Sequence, residues 1–274
     1  IFPNGNLKSF GHYKNLIGFK GSIICGNINN QADLELLVDY KFDYIFHQAA
    51  ISDTRVYDQE IIMKTNVNSF FDLLTIAKKD KAVMVYASSA ATYGNQASPQ
   101  TVGKECPENP YGYSKLIMDQ IAMRYSYENQ DLTIAGLRFF NVFGACAPSN
   151  MFTTANILNY INKREIVVFK DKFMDFFGVC DAFKVIDLYL KSGRERCNLP
   201  KELNLVYPEV TLLSEVAGMI NNLSDYEVPV DVLESGNDRS YCGSGGELLK
   251  LGLELDGLQK SLQYVYENIR QRNV

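Results

Sequence analysis

Between Tyr44 and Phe139, short apolar runs alternate with segments of helical period, and this alternation leaves few folds open. Tyr44-Ile45-Phe46 reads as a short buried strand ending at His47-Gln48-Ala49-Ala50. Thr65 to Ala77 carries Val67, Phe70, Phe71, Leu74 and Ala77 at helical spacing. Ala82 to Ala87 is a continuous apolar run bounded by Ser88-Ser89, the pattern of a strand covered on both faces. Tyr111 to Tyr125 predicts a helix with Leu116, Ile117, Ile121 and Ala122 inward, and Leu132 to Phe139 a further buried strand. The order βαβαβ implies a parallel sheet with right-handed crossovers.

After Gly144 the pattern changes. Helices are expected over Met151 to Ile161, Asp181 to Leu190, Thr211 to Leu223 and Leu258 to Arg270. Strands are expected over Glu165 to Phe169, Glu202 to Tyr207 and Val228 to Leu233. Thr211 and Ser214 are candidates to cap the helix they begin. The reading is a dinucleotide-binding domain over 1–145 and a smaller α/β lobe over 146–274, with part of 165–207 returning to the main sheet. A doubly wound dinucleotide fold opens with a strand, a glycine-rich turn and a helix, yet no such glycine pattern lies ahead of Tyr44. The first βαβ unit is expected upstream of Ile1, because a half-sheet would leave an edge strand exposed.

Composition narrows the function. The formal net charge of −5 disfavours a nucleic-acid partner, which needs a basic surface. No run of about 20 apolar residues predicts a membrane span. The six cysteines form no CxxC pair and there are two histidines, so reduced thiols and no metal centre are expected, in a cytoplasmic enzyme.

The chemistry-bearing residues sit at strand ends and helix starts. Tyr111 and Lys115, four apart, share one helical face. An ammonium beside a phenol favours the phenolate, so Tyr111 can exchange a proton with a substrate hydroxyl. Alone, this spacing also fits an ordinary amphipathic helix. Ser89 closes an apolar strand, at the carboxyl edge where open α/β sheets bind ligands.

With these residues in place, the chain resembles the extended short-chain dehydrogenase/reductases that act on nucleotide sugars, the epimerases and dehydratases. Ala87-Ser88-Ser89-Ala90-Ala91-Thr92-Tyr93-Gly94 and Asn109-Pro110-Tyr111-Gly112-Tyr113-Ser114-Lys115 are similar to that family's Ser/Tyr/Lys site. Leu137 to Gly144 resembles its R-x-x-N-V-x-G strand end, and Phe46-His47-Gln48-Ala49-Ala50 its H-x-A-A cofactor segment. The stretch from Gly11 to Lys115 is most similar to ADP-glycero-manno-heptose 6-epimerases. The resemblance implies an α/β, Rossmann-like doubly wound parallel sheet with a C-terminal α/β substrate lobe. It implies Ser89, Tyr111 and Lys115 as catalytic. It implies Gln48, Ala49, Ala50, Ser52, Asn66, Ala87, Ser88 and Val142 around NAD or NADP, and Asn141 at the substrate. It implies a nucleotide-diphosphate sugar as substrate, and a homodimer formed by the helices near Asn66 to Ala77 and Tyr111 to Tyr125.

The second half departs from that pattern. Met174 stands where the family carries an arginine for the pyrophosphate, and Ala145 to Asn150 replaces a lysine-containing segment of the heptose enzymes. Arg239 is a candidate pyrophosphate clamp, while Lys163 and Arg164 read as surface charge. Gly243-Ser244-Gly245-Gly246 reads as a flexible turn, since no strand leads into it. Dehydratases carry Asp-Glu after the active hydroxyl; Ala90-Ala91 cannot move protons, which disfavours dehydration. Epimerisation by transient oxidation is expected first, with a 4-keto-sugar reductase or an inactive nucleotide-sugar-binding paralogue as alternatives. Asp53, Lys104 and Cys106 are candidates for a second proton carrier.

Overall fold

The computed structural model describes residues 16–170, 172–192, 198–234 and 240–272. No strand among the described residues precedes Tyr44.

Strand β1 (Tyr44–His47) leads to a long helical stretch. A short helix at Gln59–Ile62 widens into a π-turn over Met63–Asn68 and continues as α1 (Ser69–Asp80). Then come β2 (Val83–Ser89), α2 (Pro110–Glu128), β3 (Ile134–Phe139) and β4 (Asn141–Phe143). The second half runs through α3 (Phe152–Ile161), β5 (Ile166–Phe169), β6 (Phe176–Gly178) and α4 (Val179–Lys191). It closes with β7 (Glu202–Leu205), α5 (Leu213–Asn221), β8 (Val230–Leu233) and α6 (Gly257–Arg272).

The main sheet is parallel and four-stranded, in the order β1-β2-β3-β7. β4 pairs with β6 and β5 with β8, in two small parallel sheets. Alternate residues of β2 explain its unbroken apolar run. Met84 and Tyr86 bury against Phe70, Leu74 and Met118 of α1 and α2, whereas Val83 and Val85 bury on the other face with Leu137 and Leu205. Each such side chain stabilises the fold by about 1.5–3 kcal/mol.

Three details correct the sequence reading. Neither Thr211 nor Ser214 caps α5: Leu212 occupies the cap position, and its N–H is met by the Glu215 carboxylate at 2.7 Å. Segment 176–178, which has no strand signal of its own, pairs with β4. Gly243 and Gly245 are buried, not part of a flexible turn. Gly243 donates to the Asp175 carboxylate at 2.6 Å and lies against the Phe140 ring, where a Cβ would come within 2.5 Å.

No helix of the described residues is long and apolar enough to cross a membrane. The described cysteines, Cys25, Cys106, Cys146, Cys180 and Cys242, form no disulfide with one another. No cluster of metal-ligating side chains occurs among the described residues.

Candidate active site

The site forms at the carboxyl end of β2. There Ser89 leaves the strand and caps the short 3-10 turn Ala90–Tyr93, its Oγ accepting from Ala91 N at 3.1 Å. Helix α2 begins opposite, because Asn109 caps it through Gly112 N at 2.8 Å and Pro110 needs no N–H partner in the first turn. Gly112 permits the approach: a Cβ there would sit 2.3 Å from the Ala91 carbonyl oxygen. The outcome is that Tyr111 faces Ser89, whose hydroxyl donates toward the phenolic oxygen.

Lys115 is buried one turn further along α2. Its Nζ donates to the Ala87 carbonyl at 2.7 Å and lies 5.9 Å from the centre of the Tyr111 ring. Burial pulls the ammonium down to about 8, opposed by the charge of Asp119. Burial likewise raises Tyr111, with the Ser89 hydrogen bond pulling the other way. The depression of the phenol expected from its spacing to Lys115 is therefore not found; desolvation outweighs the Ser89 hydrogen bond.

The other sequence candidates divide. Ala49 and Ala50 are half-buried just past β1, while Gln48 and Ser52 are exposed. Asn66 is fully buried and holds the backbone of Ile51 by two bonds, at 2.9 and 3.1 Å, while donating to Ser114 at 2.9 Å. Ser88 points away from the rim and donates to Asp119 at 2.8 Å. Asn141 donates to the Asp175 backbone carbonyl at 2.8 Å, beside half-buried Val142. Arg239 lies outside the described residues. Lys104, Cys106 and Asp53 are exposed, and Asp53 pairs with Arg55 at 2.8 Å.

A cavity of about 710 Å³ opens between the Gly94–Gln100 segment and Phe173, Val210 and Tyr241, and Ser89, Tyr111 and Lys115 are not among the residues that line it. The Tyr241 phenol is within electrostatic reach of Tyr111 and Tyr93. The cavity wall is fixed from both halves of the chain. Gln100 exchanges backbone bonds with Cys242 and Ser244 at 2.8 Å each, and Asn204 takes the Tyr93 hydroxyl at 2.6 Å.

Beneath the site lies a polar cluster that sequence reasoning missed. Arg138, 1% exposed, reaches Asp119 and Glu202 at 3.1 Å each and also pairs with Glu105. Its guanidinium stacks 4.9 Å over the Tyr93 ring. The available signal was Asp119 itself, a carboxylate beside the apolar stripe of α2 and four residues from Lys115.

Residues 6–204 match the model of the NAD dependent epimerase/dehydratase family. The chain belongs to that family. Within it, ADP-L-glycero-D-manno-heptose-6-epimerase of Brachyspira hyodysenteriae is 35% identical over 144 residues, 51% of this chain and 45% of that protein. The chain thus spans about half the length of the curated relative it matches. The crystal structure of the Helicobacter pylori enzyme of the same name superposes with a TM-score of 0.76 at 33% identity, covering 96% of this chain and 83% of that one. The UDP-glucuronic acid 4-epimerase of Bacillus cereus, solved with UDP-glucuronic acid and NAD, shares the fold at 20% identity, with a TM-score of 0.77 over 96% of this chain and 87% of its own.

The residues present fit a nicotinamide cofactor of this family at its reactive end. The Lys115 ammonium has three donors and Ala87 accepts one, which leaves hydrogen-bonding capacity at the sheet rim.

Proposed function

We propose that this epimerase-family chain is an NAD(P)-dependent nucleotide-sugar epimerase whose substrate resembles an ADP-linked heptose. The observation that carries the reading is the convergence of Ser89, Tyr111 and Lys115 on the end of one strand. A nicotinamide held there would supply the reversible hydride transfer. The chain's own residues do the rest. Tyr111 exchanges the proton of the sugar hydroxyl, Ser89 orients both oxygens, and Lys115 supplies the positive charge that favours the phenolate. Alanine at positions 90 and 91 provides no acid or base for elimination. Asn141 and Arg239 are assigned to the substrate side, with Ala49, Ala50, Ala87 and Val142 along the cofactor; Asn66 and Ser88 support that wall through their bonds to Ile51 and Asp119.

The reading extends to a cytoplasmic homodimer. Phe71 on α1 and Met123 and Tyr127 on α2 are exposed, and a second copy would cover them.

Purified protein, assayed for bound nicotinamide and for interconversion of ADP-linked heptose epimers, tests the proposal. Co-purifying oxidised cofactor and epimer formation are expected. Exchangeable NADPH with net reduction of a 4-keto sugar would replace the reading with the reductase, and absence of cofactor and turnover would overturn it.

A further inference from the structure

We propose that Asp119 is a positioning residue of this site, clamping the end of β2 onto α2 through Tyr86 and Ser88 and presenting its negative charge to the Lys115 ammonium. The inference rests on the reading of Ser89, Tyr111 and Lys115 given above.

Three donors meet the Asp119 carboxylate. Tyr86 and Ser88 of β2 reach it at 2.8 Å each, and Arg138 of β3 at 3.1 Å. The residue between Tyr86 and Ser88 is Ala87, whose carbonyl takes the Lys115 ammonium, and the next residue is Ser89. Four successive residues of β2 are thus engaged by α2, from Asp119, Lys115 and Tyr111 in turn. A shift of the strand end against the helix would break three buried polar contacts together. That coupling sets where the Ser89 hydroxyl stands relative to the phenol.

The charges around the pair are few and buried. Lys115 faces Asp119 and Tyr111 from its own helix, the Ala87 carbonyl from β2, and His47 from β1, which burial keeps neutral above about 4. Asp119 faces Arg138, which also meets Glu202 of β7 and Glu105 of the loop before α2. Among these, Asp119 is the group whose charge favours the ammonium. At low local dielectric, removing it weakens that ammonium markedly.

A buried ion cluster is a poor source of net stability, so its geometric consequence is the better account of its presence. Two variants separate the roles. Lysine labelled with 13C at the ε carbon reports the titration of Lys115, assigned by the signal lost in Lys115→Met. The wild-type midpoint is expected near 8. In Asp119→Asn it is expected to fall by about one pH unit, and in Asp119→Glu to stay near wild type. Turnover should fall about tenfold in both, with KM unchanged, because one loses the charge and the other misplaces it. An unmoved Lys115 midpoint in Asp119→Asn overturns the electrostatic role. Wild-type kcat in Asp119→Glu overturns the positioning role, and that variant alone decides if the asparagine form does not fold. The titration needs no substrate, so a shifted midpoint in a protein inert toward nucleotide sugars would sink the proposed activity and leave the Asp119–Lys115 coupling standing.

Discussion

Lys115 reaches across from α2 to the Ala87 carbonyl of β2 at 2.7 Å, so the ammonium is both a charge near Tyr111 and a tie between helix and strand. Lys115→Met should therefore lose turnover by at least about 100-fold and also loosen the site. In the wild type the active form needs the ammonium. Activity is expected to fall as pH rises through about 8, and a profile of kcat/KM against pH checks it. A flat profile from pH 7 to about 9.5 would remove Lys115 from the chemistry.

Tyr111→Phe removes one hydroxyl and its contact with Ser89. Turnover should vanish, while unfolding free energy changes by about 1 kcal/mol or less. Steady-state assay and urea denaturation of the same preparation measure both. Retained activity would exclude the proton-transfer role.

Among the described residues, Arg138 is the cation that pairs with Glu105, Asp119 and Glu202. Arg138→Met leaves these carboxylates without it in a buried setting. The expected cost is about 3–5 kcal/mol, read from the midpoint of urea unfolding. A loss under about 1 kcal/mol would mean the cluster is neutral or hydrated.

Glu202 supplies a pH dependence of stability. Burial pushes its carboxyl up to about 7, against an ordinary value of 4.5. A raised folded-state value means the folded form binds the proton more tightly. Its stabilisation is fully present below about 4.5 and is lost as pH rises through about 7. Glu202→Gln should flatten this part of the curve, by on the order of 2 kcal/mol across the window. His47, pulled down to about 4, acts in the opposite sense, adding stability above its unfolded value and losing it as pH falls toward about 4. Unfolding free energies at pH 5 and about 7.5, compared between wild type and Glu202→Gln, isolate the carboxylate.

Gly243→Ala tests the packing of the segment after Arg239. The added methyl would meet the Phe140 ring at 2.5 Å and crowd the Asn204 amide at 3.2 Å. A destabilisation of about 1–3 kcal/mol is expected, with weakened substrate binding because the same segment walls the cavity. Unaltered thermal unfolding would show that the segment is free to move.

Much of the fold was legible in local pattern. The unbroken run Ala82 to Ala87 announced a strand covered on both faces, and Met84 and Val85 do bury on opposite sides. The helical stripe expected over Tyr111 to Tyr125 is α2, which starts one residue earlier at Pro110 because Asn109 caps it and a proline needs no N–H partner there. Other elements had no such signal. Phe176 to Gly178 is too short to show a period and becomes a strand only because Asn141 to Phe143 lies alongside.

The sequence by itself determined the parallel α/β core and the order of Ser89, Tyr111 and Lys115, because hydrophobic period, helix caps and a four-residue spacing act within a few residues of chain. The tertiary structure alone decided which polar groups are withdrawn from water together. Arg138 meets Glu105, Asp119 and Glu202 from three separate segments, and Tyr93 meets Asn204 across 111 positions. Ionisation follows burial and neighbouring charge. The phenol of Tyr111 is consequently raised where local spacing predicted it lowered, a reversal that no local pattern contains.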